Sequence, residues 1–120
     1  MTDTKRFKRF RRVQRARVLQ GGVPAGILEE LPSGYRFTYD PDYLADAAAP
    51  PVSLTLPKRA APHESPHLFA FFSGLLAEGF LKSLQCRILK IDEQDDFGRL
   101  VATAGGDVIG SVTVEPAADA

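Results

Sequence analysis

An α+β domain, a small antiparallel β-sheet with two to three helices packed on one face, is the fold class this sequence predicts. Three observations lead to it. Short alternating apolar runs separated by Gly- and Pro-containing turns fill the first half of the chain, the apolar spacing lengthens to about 3.6 residues after Pro66, and a β-branched run comes last. Strands, then helices, then a returning strand describe an antiparallel sheet covered on one side.

Each element follows from its residues. Val13 to Leu19 alternates imperfectly and reads as a strand with an arginine-rich start; Gly21-Gly22 turns it, and Val23 to Leu28 returns as its hairpin partner. Gly26 inside that second run marks a bulge or a close backbone approach. After a Pro32-Ser33-Gly34 turn, "YRFTY" sets Tyr35, Phe37 and Tyr39 on one face and Arg36 and Thr38 on the other, the cleanest period-two signal present. Asp40-Pro41-Asp42 opens a turn or a single helical turn carrying Tyr43 and Leu44, and residues 47–51 connect onward. "VSLTLP" is expected as a fourth strand, with Val52, Leu54 and Leu56 on one side and Pro57 ending it. Lys58 to Pro66 reads as an exposed loop.

Leu68, Phe71, Phe72, Leu75 and Leu76 fall at helical spacing, and Phe71, Phe72, Leu75 and Leu76 are expected in the core. Phe80, Leu84, Ile88 and Leu89 mark a second helical stretch. Asp92 is the expected N-cap of a third that includes Phe97, Leu100 and Val101, ended by Gly105-Gly106 before a last strand from Val108 to Val114.

A chain of 120 residues, 44% hydrophobic and 25% charged, can bury one core without a metal or a disulfide. No run approaches the roughly 18 apolar residues of a membrane span. The lone Cys86 falls in a helical pattern and reads as a buried, inert thiol, which suits a reducing, cytoplasmic setting. The arginine-rich N-terminus lacks the apolar centre of a secretory signal.

The zero net charge conceals an asymmetry. Residues 1–20 hold eight Lys/Arg against Asp3 alone, whereas the remainder holds seven basic and fourteen acidic side chains. Residues 1–12 therefore read as a flexible basic arm on an acidic domain spanning 13–114, with 115–120 as a short tail. Such an arm can lie on the acidic body, stay solvated, or contact nucleic acid through Lys5, Arg6, Lys8, Arg9, Arg11 and Arg12, among which Phe7 and Phe10 are interleaved.

Catalytic patterns are missing. The glycines at 105, 106 and 110 lack the lysine of a phosphate-binding loop, and "DDFG" at 95–98 opens a helix with no other kinase motif nearby. His63 and His67 are separated by Pro66, lack a completing cysteine or acid pair, and read as solvent-facing loop residues. Asp92, Glu93, Asp95 and Asp96 complement a helix dipole. Ser53 and Ser73 have no evident base. No catalytic residue, metal or cofactor is expected.

In order, "VPAGILEELPSGYRFTYDPDYL", "PVSLTLP", "FFSGLLAEGFLKSLQCRILKI" and "DDFGRLVATAGGDVIGSV" resemble the N-terminal subdomain of the HipA family of bacterial serine/threonine kinase toxins, over residues 13–114. Ser53-Leu54-Thr55-Leu56-Pro57 and Leu75-Leu76-Ala77-Glu78-Gly79 carry the likeness most specifically. Ala77 stands where that family usually has proline, Ser73-Gly74 where Glu-Asn is common, and Gly106 and Val108 where Arg and Cys are frequent.

No kinase core is expected here, so the sequence is similar to the stand-alone HipS-like subunits of three-gene HipBST toxin–antitoxin systems. That resemblance implies a non-enzymatic antitoxin or regulatory subunit that binds and neutralises a HipT-like serine/threonine kinase. A HipB-like helix-turn-helix DNA-binding protein is the implied third partner, with any DNA contact weak or indirect and no membrane role. The partner-binding candidates are His67, Phe69, Glu78, Gly79 and Phe80. The alternative reading is a nucleic-acid-binding module acting through the basic arm.

Overall fold

A computed structural model of the protein describes residues 14–104 and 112–117. The basic arm, the expected strand start at Val13, the glycine pair at 105–106 and the run at 108–111 lie outside the described residues. Five strands form one antiparallel sheet: β1 (Arg15–Gln20), β2 (Val23–Leu31), β3 (Gly34–Tyr39), β4 (His63–Ser65) and β5 (Val112–Pro116), in the order β4-β3-β2-β1-β5. Among the described residues four helical segments accompany it: α1 (Pro41–Ala45), α2 (Ala70–Ser73), α3 (Gly79–Leu89) and α4 (Asp96–Thr103). The α+β class and the antiparallel sheet are as the sequence predicts.

The β1–β2 hairpin closes over Gly21-Gly22 with Gln20 opposite Val23. Its register slips between Val18, opposite Gly26, and Leu19, opposite Pro24, leaving Ala25 as the extra residue of a bulge. Gly26 is required there, because a Cβ would sit 2.4 Å from the Thr38 carbonyl and 2.8 Å from the Phe37 ring. That ring lies over the bulge and is fully buried.

Strand alternation sorts the two faces of the sheet. Ala16, Val18, Leu28, Phe37, Tyr39 and Val114 point into one core together with Phe72, Phe97 and Leu100 from the helices. Directly paired residues on the other face build a charge ladder across four strands: Arg15 opposite Glu29, Glu29 opposite Arg36, and Arg36 opposite Glu64. Its N···O separations are 3.6, 3.7 and 3.2 Å. These exposed pairs each contribute at most about 1 kcal/mol, and their main effect is to keep this face solvated.

Three expectations are corrected. "VSLTLP" is not a strand but a tight turn in which the Leu56 amide donates to the Ser53 carbonyl at 3.0 Å. Val52 and Leu56 still enter the core, whereas Leu54 is 93% exposed. The cause is local, since the Ser53 hydroxyl accepts from the Thr55 amide at 3.2 Å and diverts the backbone from a ladder. The fourth strand is instead His63–Ser65, inside the segment expected to be a loop, and His63 faces the core beside Phe37 with only 7% exposure. Its Nε2 lies 2.8 Å from the Pro57 carbonyl. Lastly, Asp95 rather than Asp92 caps α4, accepting from the Gly98 amide at 3.0 Å, while Asp92 accepts from Gln94 in the preceding turn.

The apolar run from Leu68 to Leu76 yields only the single turn of α2 before Gly74 closes it. Phe72 is nevertheless buried, with Phe71, Leu75 and Leu76 packed beside it on the core, as expected. α4 precedes β5, and the carbonyl of its C-cap residue Ala104 accepts from the Val114 amide at 2.9 Å, satisfying one outward donor of that edge strand.

Candidate partner-binding surface

α3 is a regular helix of 11 residues that faces the wrong way for a core element. At 100° per residue, Phe80, Leu84, Ile88 and Leu81 share an arc of about 100°. That arc points outward: Phe80 is 77% exposed, Ile88 65% and Leu81 50%. The buried side is narrow and centres on Cys86, which is buried as expected for an inert thiol. Lys82, Arg87 and Lys90 flank the apolar arc, and no acidic residue lies between Gly79 and Ile91.

The helix begins at a corner built for abrupt redirection. Gly79 adopts φ +63°, a conformation that favours glycine, and nothing lies within 4 Å of where its Cβ would be. Glu78 precedes it in extended conformation, makes no side-chain cap, and is exposed. Behind the corner Arg99 of α4 is 95% removed from solvent, since its relative exposure is 5%. Its guanidinium donates to the Ala77 carbonyl at 2.6 Å and to Asp96 at 3.3 Å. One buried cation thus ties the start of α4 to the strand of chain that launches α3. Ser73, Glu78, Lys82, Asp96 and Arg99 line an open cleft of about 400 Å³ beside this strut.

Of the residues the sequence singled out, Glu78, Gly79 and Phe80 fall together at this corner and are exposed. His67 is exposed elsewhere, its amide donating to the Ser65 hydroxyl at 3.2 Å. Phe69 is half-buried, with its ring edge-on to Phe72 at 6.3 Å. Lys5, Arg6, Lys8, Arg9, Arg11 and Arg12 lie outside the described residues. The described end of the basic run is neutralised on the sheet, where Arg15 pairs with Glu29 and Arg17 with Glu115. Sequence reasoning missed Leu81, Ile88 and Leu54 as surface residues. A helical wheel drawn against the charge pattern of 79–91 was the available signal for the first two.

The groups with chemical potential have structural employment. Among the described residues no three His, Cys, Asp or Glu side chains group as metal ligands. Within "DDFG", Asp95 caps α4, Asp96 pairs with Arg99, and Phe97 is fully buried. The Ser73 hydroxyl donates back to the Phe69 and Ala70 carbonyls. Burial is the main cause raising the phenols of Tyr35, Tyr39 and Tyr43 above their ordinary value near 10, so all three are neutral at physiological pH. No helix among the described residues is long and apolar enough to cross a membrane.

Comparison with known proteins places this architecture. Residues 16–115 match the model of the HipA N-terminal domain. An uncharacterized protein of Haemophilus influenzae is 34% identical over 103 residues, which is 86% of this chain and 92% of that one. The putative kinase Y4mE of Sinorhizobium fredii is 35% identical over 80 residues; the match takes in 67% of this chain but only 19% of the kinase-named protein. A solved structure of the N-terminal domain of HipA toxin superposes with a TM-score of 0.67 at 31% identity, covering 92% of this chain and 98% of its own. What is matched is the N-terminal domain and not a kinase domain, and the chain belongs to the HipA N-terminal domain family.

Proposed function

We propose that this protein is an antitoxin or regulatory subunit that binds and neutralises a HipT-like serine/threonine kinase toxin, within a tripartite system whose third member is a HipB-like DNA-binding protein. Its activity is binding, with no catalysis of its own. The observation that carries the reading is the outward apolar arc of α3, with Phe80 at its N-terminal corner exposed by 77%. A surface seldom leaves three large apolar side chains, Phe80, Leu81 and Ile88, exposed on one arc of a helix around a half-buried Leu84 without a partner to cover them. Two relatives support the choice of partner. In Y4mE the matched segment is a small part of a protein named as a putative kinase, and in the Haemophilus protein it is nearly the whole chain.

The kinase is expected to cover Glu78, Gly79, Phe80, Leu84 and Ile88, with the Arg99 strut holding their geometry. A stable complex requires roughly 1,200–2,000 Å² of buried surface in total, more than this helix supplies alone. The test is co-elution of the purified protein with a HipT-like kinase, together with kinase activity measured as the protein is titrated in. Loss of activity on complex formation is expected; a kinase that keeps full activity at saturating protein refutes the proposal. Deleting residues 1–12 separates this from the nucleic-acid reading. Kinase binding should survive the deletion, whereas a phosphate-contacting arm would lose salt-sensitive DNA binding with it.

A further inference from the structure

The stretch from Asp46 to Pro57 has almost no regular secondary structure, yet side chains fix it at close intervals. The Lys58 ammonium donates to the Asp46 and Ala49 carbonyls, each at 2.8 Å, and lies over the Tyr43 ring. Tyr43 donates to the Pro50 carbonyl, and Tyr39 donates to the Leu56 carbonyl while accepting from the Val52 amide at 3.0 Å. The His63 ring meets the Pro57 carbonyl at 2.8 Å. Within the tip, the Ser53 and Thr55 hydroxyls lie 2.9 Å apart. Val52 and Leu56 lock the two stems into the core.

What this framework holds out is Leu54, 93% exposed and the most exposed of the large apolar side chains among the described residues. A lone exposed leucine on a mobile loop needs no explanation. One at the tip of a turn fixed from both stems is different, because the backbone that carries it is already ordered before any partner arrives.

Charge says what kind of partner fits. All fourteen acids after residue 12 lie outside two stretches, 47–63 and 79–91, and these two hold Lys58, Arg59, Lys82, Arg87 and Lys90, five of the seven basic residues that follow Gln20. Leu54 and Phe80, the two most exposed large apolar side chains among those described, fall one in each stretch. Apart from Val23 on the β1–β2 hairpin, the large exposed apolar side chains among the described residues all fall in these two acid-free, basic stretches of an otherwise acidic domain. The complement is a protein surface with apolar sockets and acidic rims.

We propose that the Ser53–Thr55 turn is a second docking element, a preformed peg whose Leu54 side chain seats in an acid-rimmed apolar socket of the same protein partner that covers α3. This rests on the kinase-binding reading and supplies interface that α3 alone lacks. The experiment is the dissociation constant of the full chain for a purified HipT-like kinase at low and high salt. Leu54→Ala should weaken binding about 10- to 100-fold, the value of one buried leucine, with an unchanged melting temperature. Leu54→Asp should weaken it further, and Val23→Ala, an exposed apolar residue on the β1–β2 hairpin, should bind as wild type. Higher salt should weaken the wild type.

Wild-type binding that Leu54→Ala leaves within about twofold overturns the peg and leaves the α3 reading standing. A wild type that binds no kinase overturns that reading and the peg together. Salt-insensitive binding overturns the acidic rim. A self-association or an attachment to anionic vesicles that Leu54→Ala abolishes, without change in kinase affinity, assigns the peg to another occupant and refutes the proposal.

Discussion

Helices α3 and α4 both carry apolar residues at helical spacing and have opposite fates. α4 turns Phe97 and Leu100 into the core, where both are fully buried, and its end is hydrogen-bonded to β5. α3 presents Phe80, Leu81 and Ile88 to solvent and keeps only Cys86 buried on its inner side. Both carry apolar residues at helical spacing, but α4 is the more strongly amphipathic of the two, and the sheet buries its stripe and not that of α3. α4 therefore belongs to the stability of this domain, and α3 is the helix proposed for recognition. Arg99 joins the two, buried with the first and bonded to the chain that introduces the second.

Substitutions should break that contrast in unequal steps. Phe97→Ala is the largest: emptying a fully buried site should cost about 3–5 kcal/mol, read from the denaturant midpoint, and a cost below about 1 kcal/mol would remove α4 from the core. Arg99→Ala comes next, at about 2 kcal/mol, since it leaves the Ala77 carbonyl without its charged donor. Its kinase binding should fall by more than the stability loss accounts for, measured at a temperature where the fold is intact. Arg99→Lys should recover part of the binding, because a single ammonium can still reach one acceptor.

Alkaline pH tests the tyrosines packed in or against the core. Burial raises the Tyr35, Tyr39 and Tyr43 phenols above about 10, so the folded state holds these protons more tightly than the unfolded chain does. Their contribution is complete below pH 10 and is lost as pH rises through the elevated folded values. Melting temperature against pH, followed with tyrosinate absorbance, should be level through neutrality and fall beyond that point; Tyr39→Phe should be less stable at pH 7 and fall less. The smallest stability effect is expected on α3, where Phe80→Ser or Ile88→Ser should shift unfolding by no more than about 0.5 kcal/mol. The same variants should reduce kinase affinity by about tenfold or more. A large stability loss there would show that α3 packs inward and would erase the contrast.

The hairpin around Gly21-Gly22, the bulge at Gly26 and the alternation of β3 were legible because each is encoded by residues within a few positions of one another. So was the Glu78-Gly79-Phe80 corner, through the family's short motif. Two misreadings have opposite local causes. "VSLTLP" alternates like a strand, but hydroxyl-to-backbone bonds and flanking prolines fold it into a turn. His63–Ser65 is a strand too short to show any period, stabilised by pairing with Tyr35, Arg36 and Phe37 far back in the chain.

Most local order along the chain, then, was settled by the amino acids themselves, as was the contrast of one basic end with an acidic remainder; the His63–Ser65 strand was not, because its pairing partner lies far back in the chain. Which apolar side chains are covered was settled only in three dimensions, because burial depends on neighbours that are distant in sequence. Phe97 and Phe80 each begin a helical apolar run; the fold packs against the first and leaves the second exposed.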